Sequence, residues 1–149
     1  EDIQGLMETY ARDLMGGGKA LDPAVKQQLV TSLEDFPGAF SVLCYTPQED
    51  GSQKAVGLTN VFTGFSTFKC KPLVNIHDVI VLQEYRRQGI NQLMLQKVEE
   101  EAKQRGCCKI TLEVLEGNTP ARKSYQKFGF EGYELDPKMG SALFWQKNL

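Results

Sequence analysis

Several chemistries are poorly supplied in this 149-residue chain. It has one histidine, His77, and four cysteines, Cys44, Cys70, Cys107 and Cys108, with no CxxC spacing among them. A zinc site needs several such ligands at short intervals, and adjacent cysteines rarely pair with each other. The four thiols therefore read as structural, in a reducing, cytoplasmic compartment. Basic charge is not in excess either: 17 Lys and Arg face 19 Asp and Glu, for a formal net charge of -2. Without a positive field, nucleic acid is not an expected partner. No apolar run approaches the roughly 20 residues that cross a bilayer, and no signal peptide is visible, so no membrane partner is expected. The chain opens at Glu1 rather than methionine, so part of a natural N-terminus is expected to be missing.

What is present is the patterning of one globular domain. Ile3, Leu6, Met7, Tyr10 and Leu14 recur at helical spacing, and Gly16 to Gly18 stop that helix. A second helix opens at Asp22 with Pro23 in its first turn, carries Val25, Leu29 and Leu33, and ends before Pro37. "AFSVLCY" (39–45) and "KAVGLTNVF" (54–62) flank a Gly, Asp and Pro-rich turn and read as a hairpin. "LVNIHDVIVL" (73–82) is nearly continuous in apolar residues, as suits a strand covered on both faces. By strand alternation Asp78 should face away from His77, in a structural role.

A longer helix follows, with Ile90, Leu93, Met94, Val98 and Ala102 on one side, charges on the other, and Gly106 at its end. "KITLEV" (109–114) alternates as a strand. "NTPARKSYQKFGF" (118–130) is a helix with Thr119 as cap, Pro120 at the first position and Gly129 past the end. "GYEL" (132–135) and "SALFWQK" (141–147) should close the chain as a hairpin. There is no internal repeat or low-complexity segment.

The junction "YRRQGINQLM" (85–94) carries the first chemical signal. A strand that leads through a glycine-bearing turn into a helix leaves unpaired N–H groups at the positive end of the helix dipole, which suits phosphate. Arg86 and Arg87 add charge, and Gly89 lets an anion reach backbone. Neither the GK[ST] of a triphosphate loop nor the three-glycine dinucleotide pattern is present. Taken alone, RRQG before a helix reads equally as a solvated basic turn.

Two motifs in sequence decide between these readings. The chain resembles the GCN5-related N-acetyltransferases (GNAT), whose [QR]xxGx[GA] pattern falls on Arg86, Gly89 and Asn91. Their NxxAxxxYxxxGF helix falls on Asn118, Ala121, Tyr125, Gly129 and Phe130. The resemblance implies an α/β (α+β) fold over residues 1–149: a mixed sheet of about six to seven strands flanked by about four helices, splayed between 73–82 and 109–114. Two departures stand out. Asn91 replaces Gly or Ala, so either the last amide is crowded or its side chain supplies a hydrogen bond of its own. The family's first edge strand is expected to lie outside this chain.

The resemblance also implies acetyl-CoA as cofactor. Backbone of Val79, Ile80 and Val81 would pair with the pantetheine arm, and Arg86, Arg87, Gln88, Gly89, Ile90 and Asn91 would hold the pyrophosphate. Asn118 would contact the cofactor from the opposite side. The implied reaction is acetyl transfer to a primary amine, by direct attack in a ternary complex. An alkyl ammonium with pKa near 10.4 withholds roughly 4 to 5 kcal/mol of nucleophile at neutral pH, so a base is wanted. Glu113 is the first candidate, since some members carry a catalytic glutamate there. His77 is the second, at a position other members fill with histidine.

On residues alone, Glu113 reads as a solvated strand residue and His77 as a core histidine. Tyr125 is where the family places a donor to the departing sulfur, although a phenol near 10 is a weaker acid than a thiol near 8.5 by about 2 kcal/mol. Hydrogen bonding to developing thiolate is the safer role; the alternative is an aromatic packed with Ala121 and Phe128. Transfer of another acyl group, and an inactive CoA-binding regulatory module, are the competing readings. The acceptor, a small-molecule or protein amine, is not legible in the first two helices, the loop "TGFSTFKCKPL" or the final hairpin. The family often dimerises, so a homodimer is among the expected states.

Overall fold

The protein, described over residues 1–149 by a computed structural model, runs α1 (Asp2–Arg12), α2 (Pro23–Asp35), β1 (Ala39–Pro47), β2 (Gln53–Ser66), β3 (Lys71–Val81), α3 (Ile90–Gln104), β4 (Ile110–Leu112) and α4 (Thr119–Phe128). Local chemistry sets most of these bounds. Asp22 caps α2 by accepting from the Ala24 amide at 2.8 Å, with Pro23 just inside. Gly106 and Gly129 follow α3 and α4 in the left-handed conformation that ends helices.

The strands form one mixed sheet in the order β1-β2-β3-β4, antiparallel except for the parallel β3/β4 pair. One face packs on α3 and α4 through Val61, Val74, Ile76, Leu95, Val98, Ala102 and Tyr125. The other meets α1 through Leu6, Leu58 and Ile80. Each such aliphatic side chain contributes about 1.5–3 kcal/mol by leaving water. At Gly57 α3 comes so close that an added Cβ would lie 2.9 Å from Met94 Sδ and 3.0 Å from Ile90 Cγ2. No helix is long and apolar enough to cross a membrane.

The structure departs from the sequence-based expectation at four places. The sheet has four strands, not about six to seven. The missing pair is the closing hairpin: "GYEL" and "SALFWQK" form no strand, and a single bond, Ala142 N–H to the Tyr133 carbonyl at 3.4 Å, joins the two arms. Between them Pro137–Met139 winds into a 3-10 turn capped by Asp136. Leu135, Leu143, Phe144 and Trp145 stay exposed, so nothing offsets the ordering of a hairpin that is not seated on a sheet.

Second, the stretch expected as a loop at 63–73 continues the β2/β3 ladder from Thr63↔Val74 to Ser66↔Lys71. Third, the α4 cap is Asn118 rather than Thr119: its side chain accepts from the Ala121 amide at 3.3 Å. The fourth concerns Asp78. The β2/β3 register steps from Val61↔Ile76 to Asn60↔Asp78, leaving His77 as a bulge. That extra residue resets the alternation, so His77 and Asp78 share a face. His77 packs edge-on to Phe62 with centroids 5.4 Å apart, while Asp78 bonds to Asn60, two residues from Phe62 on β2.

Candidate active site

β4 pairs with β3 only at Val74, Ile76 and the Asn75 between them, and β4 ends at Leu112. From His77 to Val81, β3 therefore has no neighbour on that side, and the sheet opens there. The Leu82 amide bonds to Val56 on β2 at 2.9 Å. Alternation then turns Ile80 backbone toward β2, and Val79 and Val81 backbone toward the opening. Arg86 Nε donates to the Val81 carbonyl at 3.0 Å, which leaves the Val81 N–H and both Val79 groups free at the open edge.

Beyond β3 the chain makes one 3-10 turn, Gln83–Tyr85. Lys54 braces it, 3.3 Å from Glu84 and 5.2 Å from the centre of the Tyr85 ring. Arg87 and Gly89 then adopt φ values of 64° and 82°. A left-handed non-glycine residue costs about 1–2 kcal/mol, so Arg87 marks stored strain at this turn. No side chain caps α3, whose first intrahelical amide is that of Leu93, bonding to the Gly89 carbonyl at 3.1 Å. The amides from Arg87 to Gln92 have no acceptor within the chain. Nothing lies within 4 Å of where a Gly89 Cβ would stand. This run of free donors at a helix head suits an anion.

The flanking side chains are less simply arranged. Arg86 reaches away from the turn to Asp13, with Nη2 3.1 Å from Oδ2. The Asp13 carboxyl sits below its ordinary value because the Met15 amide and then Arg86 bond to it. The side chains of Arg87 and Gln88 are exposed, and Gln88 Nε2 returns to the Glu84 carbonyl at 3.1 Å. Ile90 is buried against Val56 and Met94, and offers its amide alone. Asn91 supplies a hydrogen bond of its own, directed not into the turn but to Ser124 Oγ on α4 at 2.7 Å. Asn118 spends its side-chain oxygen on the helix cap, which leaves its N–H groups.

On the α1 face of the opening stand polar groups from three strands. Asn75 donates to Thr111 Oγ1 at 3.0 Å and reaches Glu113 Oε1 at 3.5 Å, so Glu113 lies just past β4, exposed. His77 is exposed beside Phe62, and so is not the core histidine of the alternative reading. Asn60, 1% exposed, accepts from Ser41 Oγ at 2.7 Å and donates to Asp78 at 3.0 Å. Tyr125 comes from the other face. It is buried, edge-on to Phe130 at 5.9 Å, and its phenol is pushed up to about 12, first by burial and then by the nearby Tyr10. Tyr10 is itself raised by burial, then by Asp78 and Asp13.

Glu113 and His77 thus stand exposed on the α1 side of the sheet, Tyr125 is packed into the core on the α3 side, and the free amides of residues 87–92 lie at the head of α3. Sequence reasoning missed Asp13, Tyr10, Asp78, Gln92 and Ser124. Tyr10 carried the only local signal, a helical period that read simply as core.

Comparison with known proteins bears on family and fold. The family description "Acetyltransferase (GNAT) family" matches residues 6–130. A thialysine N-epsilon-acetyltransferase from Bos taurus is 34% identical over 83 residues, covering 56% of this chain and 48% of that protein. The chain thus spans about half the length of the curated relative it matches. Among solved structures, a transcriptional regulator from Bacillus halodurans superposes with a TM-score of 0.78 at 19% identity, over 99% of this chain and 93% of its own. An acetyltransferase solved in complex with a CoA-linked bisubstrate analogue gives 0.73 at 18%, over 99% and 90%. With the matched region running from α1 through the Tyr125 helix to Phe130, this chain belongs to the GNAT acetyltransferase family.

Proposed function

We propose that this chain is an acetyl-CoA-dependent N-acetyltransferase, which moves an acetyl group to a primary amine by direct attack in a ternary complex. The observation that carries the reading is the run of acceptor-free amides from Arg87 to Gln92, leading onto the open edge of β3. A diphosphate fits the first and an extended amide-bearing arm fits the second, so the residues suit coenzyme A. The backbone amides of residues 87–92 would hold the diphosphate, since the Arg86 amide is spent on the Gln83 carbonyl, and Val79 and Val81 would hold the arm. Ile80 would contribute its side chain to the core rather than its backbone to the cofactor. The Asn118 N–H groups would approach from the other side.

Bound acetyl-CoA supplies an acetyl thioester activated toward amines. The protein has to present a neutral amine and stabilise the departing sulfur. Glu113 and His77, both exposed on the α1 face, would take the amine proton, directly or through water. Tyr125, whose phenol is pushed up to about 12 and so keeps its proton near neutral pH, would donate a hydrogen bond to developing thiolate. The acceptor is a small-molecule or protein amine, and a homodimer is compatible with the reading.

The test is release of CoA thiol from acetyl-CoA with a panel of amines, beside calorimetry with CoA. The reading expects CoA binding and acceptor-stimulated thiol. Binding without stimulated thiol would leave a regulatory module. Turnover only with a different acyl-CoA would change the donor. No heat with CoA at millimolar concentration would overturn the reading altogether.

A further inference from the structure

Three side-chain hydrogen bonds join the head of α3 to α4, and all end on one residue. Asn91 Nδ2 lies 2.7 Å from Ser124 Oγ, while Gln92 Nε2 lies 3.0 Å from the same oxygen and 2.9 Å from the Ser124 carbonyl. Ser124 immediately precedes Tyr125. Asn91 and Ser124 are half-buried, and Asn91 Oδ1 is sealed from solvent without a partner. The bond survives either orientation of the Asn91 amide, because a hydroxyl both donates and accepts. A glycine or alanine at 91 could make no such bond.

We infer that Asn91, Gln92 and Ser124 form a positioning clamp. It fixes the rotation of α4 against the anion-binding end of α3, and so holds the Tyr125 hydroxyl at the opening of the sheet. The inference rests on the acetyltransferase reading above and assigns Ser124 and the side chains of Asn91 and Gln92 a role within it. Tyr125 needs such a hold because its own contacts are aromatic packing, which resists displacement but leaves the helix free to rotate by small angles. Through the clamp, the second and third residues after the cradle glycine, Asn91 and Gln92, set both ends of the site: their amides face the anion and their side chains hold the helix of the donor.

The experiment uses Ser124→Ala, Ser124→Thr and Asn91→Ala, with three readouts: amide hydrogen exchange along α4 in the free protein, CoA affinity by calorimetry, and turnover with an amine acceptor. In Ser124→Ala, which removes two of the three bonds, α4 exchange rises and kcat falls, each by about tenfold, while the Kd for CoA changes less than about twofold. Asn91→Ala shifts the same way by a smaller factor, although it installs a residue the family prefers. Ser124→Thr, which keeps the hydroxyl, restores both. Unchanged α4 exchange in Ser124→Ala with normal CoA binding overturns the clamp alone, as does an equal loss of kcat and CoA affinity. Absence of CoA binding in the unmodified protein overturns the enzyme reading and the clamp's role together.

Discussion

Arg86 holds Asp13 across 73 residues of sequence, with Nη2 3.1 Å from Oδ2, while its Nε donates to the Val81 carbonyl. The basic side chain expected at the diphosphate is thus turned toward a carboxylate beyond the end of α1. With side chains 53% and 33% exposed, the pair adds under about 1 kcal/mol to stability. The pair also acts on the field over the cradle, because Asp13 offsets a positive charge there.

Asp13→Asn keeps an oxygen for the Met15 amide but removes the charge. CoA should bind about two- to fivefold more tightly at low salt, with the gain shrinking as ionic strength rises. Calorimetry at two salt concentrations measures this. Weaker binding in the variant would mean instead that Asp13 orients Arg86 for the ligand.

Gly89 tests the cradle itself. Alanine there meets no neighbouring atom but must adopt a φ of 82°. It should therefore lose about 1 kcal/mol of stability to backbone strain, and its methyl group would cover amides that an anion must reach. CoA affinity should fall by about tenfold or more, well beyond what the change in Tm explains. An affinity matching the unmodified protein would place the anion elsewhere.

What the sequence revealed of this architecture was local. The α3 period, Gly89, the Asp22 cap and the Tyr125 helix depend on residues within a few positions of one another. The parity of β3 did not survive inspection by alternation, because the bulge at His77 is set by pairing with β2 and moves Asp78 onto the face of its neighbour. Arg86 and Asp13, and Asn91 and Ser124, meet only through tertiary packing, which no periodicity reports. The closing hairpin failed for the opposite reason: two short runs either side of "DPKMG" read locally as paired strands, but the chain provides them no ladder and no burial.

Tyr125→Phe separates donation from packing. The ring stays, so the contacts with Phe130 and the core persist, and no intrachain bond to the hydroxyl is among the causes of its shifted pKa. Stability and CoA affinity should be nearly unchanged. Turnover should fall by about tenfold to a hundredfold, the size expected on losing a donor to developing charge. Equal losses in kcat and CoA affinity would identify the residue as a packing element.

The same phenol makes a prediction at high pH. Its value in the folded protein is about 12, against about 10 when unfolded. Below pH 10 both states are protonated and the group adds no pH dependence. Between about pH 10 and pH 12 the unfolded chain releases the proton first, and stability falls by up to about 1.4 kcal/mol per unit. Tyr10, also raised, acts with the same sign. Lysines titrate in this range too, so the comparison is between the unmodified protein and Tyr125→Phe. Urea midpoints should agree near pH 9 and diverge near pH 11, with the phenylalanine variant the more stable at the higher value. Parallel losses in both proteins would mean that the hydroxyl is solvated, and its burial at the opening of the sheet would have to be abandoned.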